Sequence, residues 1–494
     1  MVPKVLIVGA GPVGLTMAAE LARYGVPVRI VDKAAQRTDK SKALVLWSRT
    51  LELLDRSGCA AAFVAAGHKV TAANMIAGDK TIGHVGLSGV ASPYPFALML
   101  PQSETERLLD EHLAKLGVAV ERQVEAIGFT QTQTGVTTIL RRPDGAEEKV
   151  ETEWLIGCDG AHSMVRHGLG LGFEGDTLQS DWILADLHIA GFTIPDSELA
   201  IYFHADGVLA TFPISPGRYR IIADIGVSKG AHPDDPSLAE VQSVVDRRGP
   251  AGLKLSDPIW LSAFRINERK VKDYRSGRVF VAGDAAHVHS PAGGQGMNTG
   301  VQDAMNLAWK LALAFESSPA AERLLASYSP ERSAVGEQVL KQAGQLTAIA
   351  VLHNPAAQAV RDFVGGLLLG LAPVRRAMAE TLTEIAIGYP KSPLNGPHGA
   401  GGPAPGERVP PVAGQTPVGA GDRPRFALFA AAGPATDRLI AEHADLLEPA
   451  PRPPLEPGGL WLVRPDGYVA ASAKAGDEAG LGSYLGGLAG AMTT

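Results

Sequence analysis

The run Arg278-Val279-Phe280-Val281-Ala282 reads as a buried strand, and it ends on Gly283-Asp284-Ala285-Ala286-His287. Far upstream, Lys4–Val8 is another short apolar strand, turned by Gly9-Ala10-Gly11-Pro12-Val13-Gly14 into a helical stretch, Leu15–Tyr24. Strand, G-x-G-x-x-G and helix open a dinucleotide-binding βαβ unit. The glycines let the backbone approach a pyrophosphate and let the helix pack close on the strand. Gly25 caps that helix, and Val28–Val31 is the next strand. It ends at Asp32, which is placed for the hydroxyls of an adenosine ribose. The first loop alone does not separate NAD from FAD. The late segment does: Asp284 is set to hold a ribityl chain. Ser290-Pro291-Ala292-Gly293-Gly294-Gln295-Gly296-Met297-Asn298 then leads into a helix. A helix N-terminus carries partial positive charge and free N–H groups. Aimed at a flavin N1–C2=O edge, it would stabilise the reduced anion. The chain must therefore fold so that two distant segments meet on one ligand, FAD.

Composition bounds the rest. The 494 residues predict two or three domains. Hydrophobic content of 45% and charge of 20% are those of a soluble globular enzyme. The net charge of −7 argues against a nucleic-acid partner. Two cysteines, Cys59 and Cys158, give no disulfide framework and suit a reducing cytoplasm. Cys158 reads as a small buried residue, not a nucleophile. Val5–Ala22 is apolar but has a glycine-rich core, so it reads as strand–turn–helix and not as a signal sequence. No run reaches the length of a membrane span; Phe363–Leu371 is too short and is followed by Pro373, Arg375 and Arg376. His287 and His289 have no further ligand group at metal spacing, so no metal is expected.

Along the chain, Ser48–Leu54 and Glu104–Leu116 read as helices. Val118–Arg122, Ile127–Thr130 and Val136–Arg141 suggest a small meander, followed by the turn Pro143-Asp144-Gly145 and a strand at Trp154–Ile156. Strand-like runs then dominate: Trp182–Ala190, Leu199–Tyr202, Val208–Pro213 and Tyr219–Gly226. Gln302–Glu316 and Ala320–Leu352 are mostly helical. Pro393–Pro411 is a Pro/Gly-rich connector to a last segment, with strands at Phe426–Phe429, Gly459–Val463 and Tyr468–Ala471 and a closing helix. The expected domains are residues 1–180 and 271–392 for the cofactor, 181–270 for a substrate sheet, and 393–494 for the connector and a C-terminal unit.

Two further motifs need weighing. Gly170-Leu171-Gly172-Phe173-Glu174-Gly175 repeats the glycine spacing, but a helix-like stretch precedes it, so it reads as a structural turn. Asp159-Gly160-Ala161-His162-Ser163-Met164-Val165-Arg166 follows the strand Trp154–Ile156. Ser163 can cap a helix there, which is the plain reading. Asp159 and Arg166 stand between the two FAD segments and are candidates for flavin and nicotinamide docking.

Together these motifs resemble the class A flavoprotein aromatic hydroxylases. Gly283–His287, Pro291–Gly300 and Gln302–Ala312 look like the branch holding phenol hydroxylase and the bacterial aromatic polyketide hydroxylases. The resemblance spans most of Val5–Lys341. It implies an α/β fold: a Rossmann-like FAD-binding domain, an inserted, mostly antiparallel substrate sheet, and a C-terminal thioredoxin-like domain. Gly406–Pro410 and Arg464–Tyr468 carry the last likeness; that domain has no cysteine, which excludes thiol redox activity there.

The resemblance also implies roles. Gly9, Gly11, Pro12, Val13, Gly14 and Asp32 hold the ADP portion. Gln102 matches the family glutamine beside the flavin. Gly283 and Asp284 serve the ribityl or pyrophosphate portion. Pro291, Gly294, Gly296, Met297 and Asn298 line the ring. Asp32 stands where glutamate is usual, and Lys33 and Lys42 where arginines are frequent; lysine lacks the fork geometry for pyrophosphate. The implied reaction is NAD(P)H reduction of FAD, then O2 activation as a flavin C4a-hydroperoxide that oxygenates an electron-rich, even polycyclic, aromatic small molecule. Oxygen insertion, epoxidation and a non-catalytic flavin-binding role are the alternatives. A halogenase is disfavoured by the lack of a W-x-W pair. A reductase is disfavoured by the lack of a second nicotinamide loop. No catalytic base stands out. Trp47, Tyr202, His204 and Phe212 are pocket candidates, each equally readable as core or loop. No membrane partner is expected, and a homodimer is left open.

Overall fold

The computed structural model describes residues 3–227, 234–316, 318–352 and 354–489. Val5–Val8 forms a strand whose four residues are all buried. Such an apolar run suits a central parallel strand covered on both faces. It pairs in parallel with Val28–Asp32 and with Trp154–Gly157. Trp154–Gly157 in turn pairs in parallel with Val279–Val281. The chain's first and late segments thus lie in one sheet, separated by a single strand.

Helix α1 (Pro12–Arg23) follows the first strand with proline in its first turn, where a missing N–H costs nothing. Helix α2 (Ser48–Arg56) and the short helix α3 (Met164–Gly168) lie further along the chain. Helix α4 (Gly296–Glu316) packs along α1. Three more helices follow: α5 (Tyr328–Ala350), α6 (Pro355–Gly370) and α7 (Ala372–Leu382). Among the described residues no single helix is long and apolar enough to cross a membrane; α6 and α7 meet length and composition only as a pair bent by 97°.

The substrate-side sheet has eight strands and is larger than the sequence indicated. Its order is His287–Val288, Lys254–Lys270, Glu174–Ala190, Arg218–Gly226, Gly207–Ser215, Glu198–His204, Ala72–Ala77 and Lys80–Gly86. The last two come from the first part of the chain, and Ala72–Ala77 pairs in parallel with Glu198–His204. The long strand Lys254–Lys270 escapes a sequence reading because Pro258 and scattered charges break its alternation. The strand Val118–Arg122 is a further correction. Only Glu121–Arg122 is extended, and it joins the cofactor sheet beside Val28–Asp32. The meander's third strand is instead Glu147–Thr152. The Gly170–Gly175 segment follows α3 with no strand before it; its first four residues are turn and coil, and its last two open the strand Glu174–Ala190.

The C-terminal unit has three antiparallel strands, Ala427–Phe429, Gly459–Val463 and Val469–Lys474, with helices Pro434–Glu442 and Glu478–Ala489. The Pro/Gly-rich connector is coil, yet it is laced to this unit. The amides of Gly396, Gly399, Gly406 and Val409 donate to the carbonyls of Ala470, Ser472, Val469 and Gly467 at 2.8–2.9 Å. The unit is also joined to the cofactor half by one continuous apolar core, which includes Leu307, Leu311, Leu428, Leu439 and Leu481. Trp309 meets Phe426 edge-on at 5.8 Å.

Charges seal that joint. Arg464 donates to Glu331 at 2.7 and 3.0 Å, and Lys310 donates to the same carboxylate at 2.7 Å, all fully buried. Burial alone would raise the Glu331 carboxyl, but Arg464 and Lys310 outweigh it and hold it well below the ordinary range. Removing one partner from a buried pair strands the other charge. Arg464→Ala should therefore destabilise the protein by about 3–5 kcal/mol. Thermal unfolding checks this, together with faster proteolysis between the cofactor half and the C-terminal unit. Glu331's contribution is complete above the ordinary glutamate value and is lost as pH falls toward its depressed folded value, so the variant should lose part of the acid sensitivity of the wild type.

Candidate functional site

Three loops meet at the C-terminal ends of the cofactor-sheet strands. Gly9 has φ +99°, and a Cβ there would strike the carbonyl of Cys158. A Cβ on Gly14 would strike the carbonyl of Gly9. Gly283 has φ +59°, and a Cβ on it or on Gly300 would strike Val13. The first glycine loop, the Asp159 loop and the Gly283-Asp284 turn are thus in mutual contact. By contrast, nothing lies within 4 Å of a Cβ built on Gly11, which faces open space.

A family model described as an FAD binding domain matches residues 3–343. The chain belongs to that family. It is 37% identical to 6-methylpretetramide 4-monooxygenase of Streptomyces rimosus over 95% of this chain and 90% of that one. It is similar in structure to CabE, an aromatic hydroxylase from angucycline biosynthesis, with TM-score 0.79, 30% identity and 99% of each chain covered. The OxyS anhydrotetracycline hydroxylase of Streptomyces rimosus matches with TM-score 0.77, 28% identity and 96% of each chain. This protein is an FAD-dependent aromatic monooxygenase that uses NAD(P)H and O2.

The open space at Gly11 fits the cofactor of this family. The first turn of α1 has no side-chain cap and no acidic residue, and the first turn of α4 has no acidic residue either. Neither end carries a negative charge of its own that would compete with an external anion. Asp32 is half-buried and accepts from Ala10 N at 2.6 Å and Ala34 N at 2.7 Å, which fixes the glycine loop against the end of its strand. Asp284 is open to solvent yet closely surrounded by protein. Burial raises its carboxyl, while His287 and Lys42 act to lower it. Lys33 and Lys42 are both exposed.

The loop carrying Lys42 is held from two sides. Gln102 opens the helix Gln102–Lys115, and its Oε1 accepts from Ala43 N at 3.2 Å. Arg220 comes from the substrate sheet, donates to Asp186 at 2.7 and 2.8 Å, and also donates to the Ser41 and Lys42 carbonyls. Sequence reasoning missed Arg220; an arginine flanked by Tyr219 and Ile221 within a strand was the available signal.

Asp159 and Arg166 are committed to the protein. Asp159 accepts from Ser163 Oγ and Val165 N, and Ser163 caps α3 by accepting from Arg166 N. Arg166 is buried, donates to the carbonyls of Ala285 and Ala161 at 3.2 and 2.8 Å, and lies 4.0 Å over the Phe173 ring. It is a strut between the Asp159 and Asp284 turns. The cation expected to help flavin and nicotinamide docking is thus buried, with both Nη groups donating to protein carbonyls.

Asn298 is buried and locks the loop before α4. Its Nδ2 donates to Val45 O and Gly294 O, and its Oδ1 accepts from Trp47 N, all at 2.9 Å. Trp47 donates its indole N–H to Gly293 O at 2.9 Å. Gly294 has φ +64°, Met297 is half-buried and Pro291 is exposed on the same loop.

The four pocket candidates separate by strand face. Trp47 and Phe212 share one apolar cluster with Leu199, Ile201, Phe203 and Met378. Tyr202 points the other way, into a core with Leu209, Ile221 and Val241 beneath the helix Leu238–Arg248. Successive residues of a strand face opposite sides, so Tyr202 belongs to that core and not to the site. His204 is also removed: it ends its strand at a surface corner, where its Nδ1 accepts from Asp206 N at 3.1 Å. Both cysteine thiols are buried, and burial raises each. Among the described residues no group of three or more His, Cys, Asp or Glu could hold a metal.

Asp284→Ala should cost FAD affinity far more than Asp206→Ala, since each lost cofactor hydrogen bond is worth roughly 0.5–1.5 kcal/mol. Flavin retained after dialysis reads this out; equal retention in the two variants would remove Asp284 from the site.

Proposed function

We propose that the substrate is a planar, fused-ring phenol and that the residues above divide its oxygenation as follows. Bound FAD, once reduced by NAD(P)H, supplies the activated oxygen. The glycine loop and the first turn of α1 hold the pyrophosphate, Asp32 the adenosine ribose, and Asp284 the ribityl chain. Lys33 and Lys42 supply positive charge at the mouth. Pro291, Gly294 and Gly296–Asn298 line the ring. The start of α4, which has no acidic residue in its first turn, would stabilise negative charge on the reduced flavin, and this is worth most where water is excluded. Gln102 and Arg220 keep the Ser41–Ala43 loop in place.

The observation that carries this reading is the mutual contact of the three loops around the open side of Gly11. The apolar cluster of Trp47 and Phe212 abuts the same α4 loop and supports an apolar ring system beside it. The substrate class rests on that cluster and on the polyketide-acting relatives. A fused quinone–phenol ionises with less help than a simple phenol. The two buried, unpaired thiols support work in a reducing cytoplasm.

The test compares simple phenols with anthraquinone- or angucycline-like phenols, measuring oxygenated product alongside NAD(P)H loss and H2O2. Coupled turnover of fused rings is expected. Efficient coupling on a small phenol, with none on fused rings, would overturn the substrate class and leave the monooxygenase intact.

A further inference from the structure

The start of α4 rests on a buried acid that no step above uses. Glu384 follows α7 and is 1% exposed. Its φ of +60° lies in the left-handed region, which a non-glycine residue occupies only when its surroundings hold it there. Those surroundings lie at the start of α4 and at the start of α2. Gln302 donates to Glu384 Oε2 at 2.6 Å, and Thr299 Oγ1 lies 3.2 Å from Glu384 Oε1. Gln295 Nε2 donates to Thr381 O at 3.0 Å, and Arg49 N donates to Thr383 O at 3.2 Å.

The hydroxyl of Thr299 decides the charge state. It has one proton and two oxygens in reach: Gln295 O at 3.0 Å and Glu384 Oε1 at 3.2 Å. A carboxylate at Glu384 can only accept, so one of the two contacts would lack a proton. A protonated Glu384 donates to Thr299 Oγ1, which frees the Thr299 proton for Gln295 O. All contacts are then satisfied. We propose that Glu384 is a positioning residue, un-ionised in the resting enzyme, whose proton holds the Gln295–Thr299 turn and keeps negative charge away from the helix end that faces the flavin.

The charged groups that face Glu384 are Arg332 on α5 and Asp303 on α4, and these pair with each other at 2.6 Å. Burial pushes the Glu384 carboxyl up to about 8, with Arg332 opposing and Asp303 adding to the rise. Ionisation would put a negative charge against the first turns of α4 and set Glu384 in competition with Gln295 O for the Thr299 proton. Negative charge at a helix N-terminus is itself stabilised by the helix dipole. It would therefore diminish what the same end offers to an anionic flavin.

The proposal rests on the flavin placement above, so its test separates the two. Infrared spectra of the full-length apoprotein should show a protonated-carboxyl band at pH 7 that fades near pH 8 and is missing from Glu384→Gln. Glutamine reproduces the protonated acid, with a donor toward Thr299 and an acceptor toward Gln302. Glu384→Gly suits the left-handed backbone, and it serves if the glutamine variant does not fold. A native carboxyl raised in this way loses stability as pH rises from the ordinary glutamate value to about 8. The wild type should therefore lose thermal stability relative to Glu384→Gln over that window and run parallel to it above. In the FAD-loaded enzyme, the midpoint potential of the wild type should fall more steeply with pH above about 8 than that of Glu384→Gln, because reduction is there coupled to proton uptake on Glu384. No band at pH 7, or a band that survives both substitutions, overturns the proposal. Parallel potentials despite the band overturn its flavin half. A protein that keeps the band but refuses FAD counts against the flavin placement itself.

Discussion

The carboxylate of Asp303 is the contact on which the rest of the site depends. It lies in the middle of α4 and is fully buried. One oxygen accepts from the amide of Gly283 at 3.0 Å and pairs with His287 Nε2 at 2.8 Å; the other accepts from Arg332 at 2.6 Å. Burial pulls its carboxyl upward, but Arg332 and His287 prevail and hold it low. A single charge thus fastens the Gly283-Asp284 turn to α4 and to α5. The turn is in van der Waals contact with Val13 of the first glycine loop, so its position sets the gap between the two cofactor segments.

Much of this was legible in the sequence. The glycine loops are visible because their spacing is a backbone requirement, and the strands beside them because they are buried on both faces and read as apolar runs. The order of the motifs was enough to name the family. Other features were hidden because they belong to pairs that no local pattern records. Tyr202 and Phe212 both sit on apolar strands, and only the register shows that they face opposite sides. Arg166 has the sequence context of a fixed cation, and only the fold shows that it turns inward onto two carbonyls. The strands Ala72–Ala77 and Lys80–Gly86 join a sheet whose other members lie beyond residue 173, a pairing local periodicity cannot reveal.

Glycine and charge do different work here. At Gly9, Gly14, Gly283 and Gly300 the lack of a Cβ permits loops to touch; a methyl group at any of them would meet backbone or Val13. At Asp303, Arg332 and Arg220 the charged side chain selects which loops touch. An arginine between Asp186 and the Ser41–Lys42 carbonyls has few alternative partners once buried, since leaving it unpaired would carry a large desolvation cost. The substrate sheet and the cofactor loop are registered by that arginine.

Helix α4 extends this logic along its whole length. Thr299, Gln302, Asp303, Asn306 and Lys310 are all buried, and their spacing of three and four residues puts them on one face. Their partners come from successive parts of the fold: Glu384 for Thr299 and Gln302, Arg332 for Asp303, and Glu331 for both Asn306 and Lys310. Glu331 then receives Arg464 from the C-terminal unit. An apolar stripe of the same shape would bury at least as favourably, because buried ion pairs gain little over hydrophobic contacts. It would also tolerate a helix slipped by one turn. The polar stripe does not, since any slip strands several buried charges at once. The start of α4 is therefore positioned by contacts made along the entire helix, and the C-terminal unit contributes to that position through Glu331.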